Sequence, residues 1–469
     1  MKMERIATRY VLAVTDRLTN VDGAKVRQEF RATEPIGRVA RGGVAALFTY
    51  GAGIGLTYCS QLFIARITGV DAYGVYAYVF SWMVVLAYFS TLGFDVALLR
   101  FVPAYQVDRA WPLLRGVIQY AQGRAAAVGI AVALLGALAV VAGNATPVMR
   151  NTFIVGFGLV PILALVRIRC SVVRALGGVF ASLAPDRIAR DGLLVAFLGI
   201  AAVSGLSWTI TAPWVMSATL ISSAIGLGLT VFAMREWHPA AIKGVSSVYD
   251  SAAWRRSAIP LLIAGATEVL MNRTGVILLG WLADTKEAGI YSLAFNVALV
   301  VTVPRVAVNT LFAPAISGLN ARNDRATMQV LVTRAASWTL CAGLCVALVL
   351  FVAAEPILAW FGSGFQAGVP ALRILLISQA IAAGAGSQLY VMTMTGHERS
   401  AALLLMAVAI INLIASVALI QWFGLIGAAG STAVALIVWN GAMALFLWRR
   451  LRLSPGVLGI FRPQFVRKQ

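Results

Sequence analysis

Apolar residues in this chain run in long stretches rather than in alternating or helical stripes. A helix crossing a bilayer needs roughly 20 mostly apolar residues, because ~30 Å of hydrocarbon is covered at ~1.5 Å per residue. Windows of that length predict about twelve helices. In the first half they span 43–65, 74–99, 117–142, 152–174, 188–206 and 212–234. In the second half they span 257–282, 288–315, 332–354, 369–394, 401–422 and 425–448. Lipid offers backbone groups no partner, and these runs are too long and continuous for barrel strands. The expected fold is an all-α polytopic membrane protein. Polar stretches divide it into a basic N-terminal arm (1–42), a first six-helix lobe (43–234), a linker (235–256), a second six-helix lobe (257–448) and a basic tail (449–469).

Composition agrees: 60% of residues are hydrophobic, 12% are charged and the mean hydropathy is +0.85. A soluble domain is roughly 45–50% apolar and about 25% charged. A disordered chain, a disulfide scaffold and an ordinary soluble enzyme are thereby excluded. The formal net charge of +20 would suggest nucleic acid in a soluble protein. Topology explains it differently. With the N-terminus in the cytoplasm, 32 Lys and Arg residues fall on the inside, those towards inner span ends included, and 3 in outside loops. The other 3 are Arg273, Arg305 and Arg373, within spans. This positive-inside bias places both termini in the cytoplasm and favours an even number of spans. It requires no nucleic-acid partner. Ten of the twelve tryptophans lie near span ends, as expected for headgroup anchors. In the arm, Ile6, Tyr10, Val14 and Leu18 recur every four residues and could form a surface helix, or the arm is a solvated extension. The basic tail suits anionic lipid.

Absences narrow the class further. His238 and His397 both lie in loops. Cys341 and Cys345 share a helix face without a His or carboxylate, and Cys59 and Cys170 read as small hydrophobes. No metal set, Walker loop or Rossmann glycine pattern is present, so no cofactor is expected. All outside loops are short, which argues against a glycan polymerase or transferase. A many-spanning chain without these features is most simply a secondary transporter, not an enzyme.

Transporters often carry internal repeats, and one is visible. Gly74-Val75-Tyr76-Ala77-Tyr78-Val79-Phe80 opens the second span, and Gly289-Ile290-Tyr291-Ser292-Leu293-Ala294-Phe295 opens the eighth. Each follows a short loop with acidic residues, Asp71 in one copy and Asp284 and Glu287 in the other. Glycine would permit a tight turn, and tyrosine would anchor the helix start at the interface. With six spans per half, the lobes repeat in parallel about an axis along the membrane normal. Between them an alternately opening cavity is expected.

Several segments resemble the polysaccharide flippases of the multidrug/oligosaccharidyl-lipid/polysaccharide exporter superfamily. Phe63 to Tyr105, with Ala65-Arg66, Leu92-Gly93-Phe94 and Leu99-Arg100-Phe101-Val102, is similar to their N-terminal signature. Gly289 to Ser317 is similar to their seventh and eighth spans. Trp360-Phe361-Gly362, Leu372-Arg373-Ile374-Leu375, Gly396-His397-Glu398-Arg399, Asn412 and Gly424 to Ala433 continue the likeness. The resemblance implies transfer of a polyprenyl-pyrophosphate-linked oligosaccharide from the cytoplasmic to the outer leaflet of a bacterial inner membrane. It implies lipid-linked glycan and membrane lipid as partners, and other polysaccharide-assembly proteins as possible ones. The long arm departs from the family pattern, as does Asn272 before Arg273 where an acidic residue is common. Rival readings are a cation-coupled drug antiporter, a peptidoglycan-precursor flippase and a non-transporting scaffold. The antiporter would need an intramembrane carboxylate, and in the first lobe only Asp95 approaches a span.

A diphosphate crossing hydrocarbon needs positive charge. A charged residue deep in a span costs at least ~2.5–3.5 kcal/mol on insertion scales, so it faces a cavity or a partner. Arg273 lies too deep to reach either membrane surface, and its planar fork suits phosphate oxygens or a structural salt bridge. Glu268 stands five residues away, ~140° round the helix, and is poorly placed to pair with it. It reads as a coupling site or as the balance for an arginine on another helix. Arg305 follows Pro304 at an expected kink, lining the cavity or marking a gate. Arg100 and Arg66 could guide phosphate at the cavity mouths or serve as anchors, and Arg373 can snorkel. Asn296, Asn309 and Gln379 could meet sugar hydroxyls or bond between helices.

Overall fold

A computed structural model describes residues 36–204, 210–242, 244–322 and 324–461. The arm's four-residue apolar repeat lies outside the described residues. Helix α1 (Ile36–Ser90) contains two crossings, parted at Gly69 with φ +73° and ψ 176°. The Tyr73 hydroxyl donates to Gln61 Oε1 at 2.6 Å. A continuous helix would hold residues this far apart in sequence ~18 Å from each other, so the chain folds back at Gly69. A left-handed φ there favours glycine.

The second crossing continues into α2 (Phe94–Val107). Then follow α3 (Trp111–Ala142), the pair α4 (Pro147–Phe157) and α5 (Leu159–Ala175), the short α6 (Val179–Leu183), α7 (Arg190–Val203) and α8 (Ala212–Trp237). Between α6 and α7, Ala184–Ala189 form a π-helical turn. The second half runs through α9 (Ser251–Leu282), α10 (Thr285–Leu299), α11 (Val303–Ala321), α12 (Arg325–Val352), the short α13 (Ala354–Phe361), α14 (Val369–Ala385), α15 (Gln388–Met394) and α16 (Glu398–Phe446). Helix α16 folds back at Gly424 (φ +51°), as the 2.9 Å bond from Ser416 Oγ to Ser431 Oγ requires. Among the described residues, nine helical stretches are long and apolar enough to cross a membrane. The reversals at Gly69 and Gly424, with α6–α7 as one further crossing, give the twelve expected. The chain is an all-α polytopic membrane protein.

The repeat is visible in contacts. Tyr76 stacks on Phe80 at 5.7 Å, and its hydroxyl bonds Thr219 on α8 at 3.3 Å. Tyr291 stacks on Phe295 at 5.9 Å, and its hydroxyl bonds Thr432 at 2.8 Å. Both tyrosines are 2% exposed, so they latch helices inside each half rather than anchor at a membrane interface. Gly74 and Gly289 do not make turns either. They face one another, and a Cβ on Gly289 would meet the Cα of Gly74. Absent side chains let the two helices touch at backbone distance. This crossing defines the Gly74 face of the bundle. Lys286 pairs with Asp71 there at 3.6 Å, Tyr73 meets the Phe365 ring edge-on at 5.4 Å, and Arg66 donates to the Trp360 carbonyl at 2.7 Å.

The opposite end is the Trp254 face. Trp254 is fully buried and donates to the Tyr105 hydroxyl at 2.9 Å, so it is a seam residue rather than a headgroup anchor. Trp281, Trp360 and Trp422 remain 66–81% exposed, as anchors should. Linker residue Val248 donates its N–H to the Pro112 carbonyl at 3.1 Å, and Arg115 donates to the Val245 carbonyl at 2.5 Å. The first part of the tail packs on the bundle. Ser454 N–H donates to Gln329 Oε1 at 2.7 Å, and Gln329 Nε2 donates to the Ser454 carbonyl at 3.1 Å. Replacing Tyr105 by phenylalanine removes one partly buried bond of roughly 0.5–1.5 kcal/mol. A thermal melt in detergent should show a fall of a few degrees, and an unchanged melt would mean that the indole finds another acceptor.

Candidate anion-binding site

The π-helical turn places the polar centre of the first half. Pro185 enters it early, and the Pro185 carbonyl packs where a Cβ on Gly226 of α8 would come within 3.0 Å. Such turns re-aim the residues that follow and are frequent at functional sites. Here the first residues of α7 are Arg190 and Asp191, inside the bundle. Arg190 Nε lies 2.9 Å from Asp191 Oδ1, and Arg190 Nη1 lies 2.9 Å from Asp186 Oδ1. The Asp191 side chain is 5% exposed and also accepts from the Thr57 hydroxyl of α1.

Arg273 of α9 is half-buried, within electrostatic reach of both Arg190 and Arg167, and of the Tyr73 and Tyr76 hydroxyls. Arg167 of α5 also lies over the Tyr88 ring at 5.5 Å. Guanidiniums of α5 and α7 thus lie within electrostatic reach of Arg273 on α9, with Asp186 and Asp191 at Arg190 and Asp95 within reach of Arg167. Tyr88 itself packs where a Cβ on Gly265 of α9 would stand, so α9 lies close along the second crossing.

A second polar group forms in the other half. Helix geometry fails at Val300–Thr302, a 3-10 turn, and α11 restarts with Pro304 in its first turn. Proline cannot supply the N–H that a continuous helix would need. Arg305 follows, within electrostatic reach of Glu268 and Tyr390. Glu268 is exposed and makes no ion pair with Arg273 among the described residues. Asn309 accepts from Ser387, at the break between α14 and α15 where Gly386 has φ +73°. Gln388 Oε1 is buried there without a partner among the described residues.

The remaining predicted residues lie elsewhere. Asn296 contributes its backbone carbonyl, which accepts from the Tyr58 hydroxyl. Gln379 is buried in α14. Arg66 closes the Gly74 face, Arg100 is exposed on α2, and Arg373 pairs with Glu355 at 3.5 Å while lying over Phe351. Arg167, Arg190, Asp186 and Asp191 are the residues that sequence reasoning missed. The charge count absorbed the two arginines as ordinary inside residues. The expectation that Asp95 alone approaches a span in the first half is corrected: Asp191 lies within the predicted span 188–206, and its side chain is 5% exposed and paired with Arg190. A signal existed: Asp186, Arg190 and Asp191 stand one turn apart with proline just before them.

Tyr78, Trp82, Leu86, Phe153, Phe157 and Trp281 line an open groove of about 440 Å³. A Cβ on Gly280 would collide with the Tyr78 ring, so glycine again sets the helix spacing.

Solved structures share this bundle. An inward-facing multidrug resistance MATE family transporter of the MOP superfamily superposes with a TM-score of 0.68 at 12% identity, covering 85% of this chain and 93% of that one. The lipid II flippase MurJ, in an inward closed conformation, gives 0.61 at 13% identity over 88% of each chain. The Vibrio cholerae MATE transporter VcmN gives 0.59 at 16% identity, over 89% of this chain and 97% of that one. These likenesses concern the fold. Among curated proteins no sequence match is found. The family model described as polysaccharide biosynthesis protein matches residues 39–320, and the chain belongs to that family.

Proposed function

We propose that the protein is a flippase that carries a polyprenyl-pyrophosphate-linked oligosaccharide across a bacterial inner membrane by alternating access, without covalent chemistry. The observation that carries this reading is the convergence of Arg167, Arg190 and Arg273 inside the apolar bundle of a polysaccharide-biosynthesis family member. Guanidinium forks match phosphate oxygens, and buried cations persist where an anion visits them. Arg305, Asn309 and Tyr390 offer further donors for a headgroup with sugars. The aromatic groove suits the isoprenoid chain, which stays in lipid while the headgroup crosses. The Gly74 face is then the outer face, and the Trp254 face is cytoplasmic with both termini.

Deletion in the source organism, followed by analysis of the lipid-linked sugar that accumulates, tests this and names the glycan. Accumulation of peptidoglycan precursor instead would reassign the substrate, and no accumulation would end the flippase reading. Tags on either terminus should resist protease from the outer face. Cleavage there would invert the topology.

Asp191 supports a second reading, a cation-coupled antiporter, because a buried carboxylate in the first half is what cation exchange needs. Efflux of cationic dyes that is abolished in Asp191→Asn, with polysaccharide output intact, would favour it.

A further inference from the structure

We infer that a groove beside Arg124 on α3 is a binding site for an anionic phospholipid, held by its phosphodiester in the leaflet next to the Trp254 face. None of the groove's residues belongs to the cationic centre, so the site stands whatever the protein carries. Gln119, Tyr120, Gly123, Arg124 and Ala127 of α3 line it together with Tyr249 of the linker, and its volume is about 250 Å³. Residues 125–142 of α3 carry no charged or polar side chain. At ~1.5 Å per residue they cover ~27 Å, close to the ~30 Å of hydrocarbon. Arg124 therefore stands where hydrocarbon ends and headgroups begin. Gly123 leaves the groove open, since a Cβ there would meet nothing within 4 Å. From Ala127 the same helix face continues in three- and four-residue steps through Ile130, Leu134, Leu138 and Val141, each 51–66% exposed. Apolar side chains this exposed on a crossing helix meet lipid. An acyl chain can lie along that stripe while its headgroup fills the groove.

The polar end of the groove is rich in donors. The Arg124 guanidinium lies over the Tyr120 ring at 5.3 Å, and Tyr120 in turn leans on the Trp254 ring at 5.6 Å. Stacking on a ring holds the face of the guanidinium and leaves its N–H edge free. Among the described residues Arg124 has no ion pair and no hydrogen bond. The Tyr249 hydroxyl donates to Gln119 Oε1 at 3.1 Å and accepts from Ser247 Oγ at 3.3 Å. Gln119 Nε2 keeps its two N–H donors without a described acceptor. No carboxylate lines the groove. The nearest in sequence, Asp250, is committed to α9, where it accepts the Ala253 N–H at 3.2 Å. Free N–H groups at the hydrocarbon boundary match the oxygens of a phosphodiester. A choline or ethanolamine headgroup would bring a second cation beside Arg124. A glycerol headgroup brings none, and its hydroxyls can bond Gln119 and Tyr249. The groove is smaller than the ~300–1,000 Å³ of drug-sized ligand sites, so it accepts a phosphodiester and excludes an oligosaccharide. A headgroup there joins α3 to the linker, next to the residue that caps the first helix of the second half. It braces the joint between the two lobes.

The test uses the full-length protein in detergent, titrated with phosphatidylglycerol or phosphatidylcholine of the same chain length. Native mass spectrometry counts and ranks the lipids bound. Wild type should hold its first phosphatidylglycerol roughly tenfold more tightly than phosphatidylcholine, the scale of one bond to a charged group. Arg124→Ala should lose this preference, and Arg124→Lys should keep part of it. Gly123→Leu retains every charge but fills the groove, and should lose the preference too. Arg399→Ala removes an exposed cation at the start of α16 and should leave it unchanged. In a thermal melt, phosphatidylglycerol should raise the melting temperature of wild type more than that of Arg124→Ala or Gly123→Leu. Glycerol 3-phosphate, which has no chains to lay on the apolar stripe, should bind far more weakly than phosphatidylglycerol. A preference that survives in both Arg124→Ala and Gly123→Leu would overturn the site. Equal binding of glycerol 3-phosphate would make the groove a plain anion site and overturn the lipid assignment. Displacement of phosphatidylglycerol by equimolar polyprenyl diphosphate would overturn it in favour of the carried lipid.

Discussion

Replacing Arg273 by alanine should reduce transfer of lipid-linked glycan roughly 10- to 150-fold, the loss expected for charge-assisted bonds of about 1.5–3 kcal/mol. Insertion and fold should survive, because Arg273 makes no ion pair with a described residue that its loss would leave uncompensated. Arg273→Lys should fall between, since an ammonium keeps the charge but loses the planar fork. The measurement is the transfer rate in vesicles loaded with lipid-linked glycan, with Arg373→Ala as the contrast. Arg373 pairs with Glu355 away from the cluster and should change the rate little. Arg305→Ala should also lower the rate, through the second polar group. If Arg273→Ala and Arg305→Ala both run at the wild-type rate, the cationic site is not the transport path.

Widening the Gly74–Gly289 crossing should have the second large effect. A Cβ at Gly74 meets the Thr285 carbonyl, and the Lys286 Cα at 3.0 Å. Backbone atoms cannot swing aside as a flexible side chain can. Overpacking of this kind typically costs about 1–3 kcal/mol, and here the cost falls only on the state in which the two helices touch. Gly74→Val should therefore shift the population towards an open Gly74 face by roughly 5- to 150-fold. A cysteine at position 286, in a background lacking the four native cysteines, reports this. Its labelling by a membrane-impermeant thiol reagent should accelerate, and glycan transfer should fall. Gly289→Val should behave alike. Labelling that stays slow in both variants would show that the crossing is a fixed hinge and not a gate.

Crossings and their order were legible in the sequence because lipid imposes length and apolarity on each helix independently of its neighbours. Gly69 and Gly424 both fall in gaps between predicted spans, 66–73 and 423–424, so the two reversals were legible although the helix is nearly continuous across them. The Gly74 and Gly289 motifs were found by their repetition, but their role was misread. A glycine that makes a turn and a glycine that lets two backbones touch look the same in one dimension. The site was half legible. Arg273 stood out as a lone cation in an apolar run. Arg167 and Arg190 did not, because an arginine near a predicted span end already has an explanation in topology. Asp191 fell inside the predicted span 188–206, but so close to its start that it passed as part of the polar flank. Arg66 and Arg373 show the converse error, where a cation in or beside a span is satisfied by a carbonyl or a carboxylate at the surface.

The Gln329–Ser454 clasp bears on how this molecule can be handled. The chain after α16 is not a loose end: Gly456 reaches the carbonyls of Gly384 and Ala385, next to the break in the tenth crossing, and Gly459 lies against Thr333. A stop codon after Arg452 would remove the backbone strand that Gln329 grips and uncover that break. Reporter fusions and purification tags belong beyond Phe461. A shorter chain that inserts normally but transports poorly would be reporting the loss of this splint, not the loss of a terminal signal.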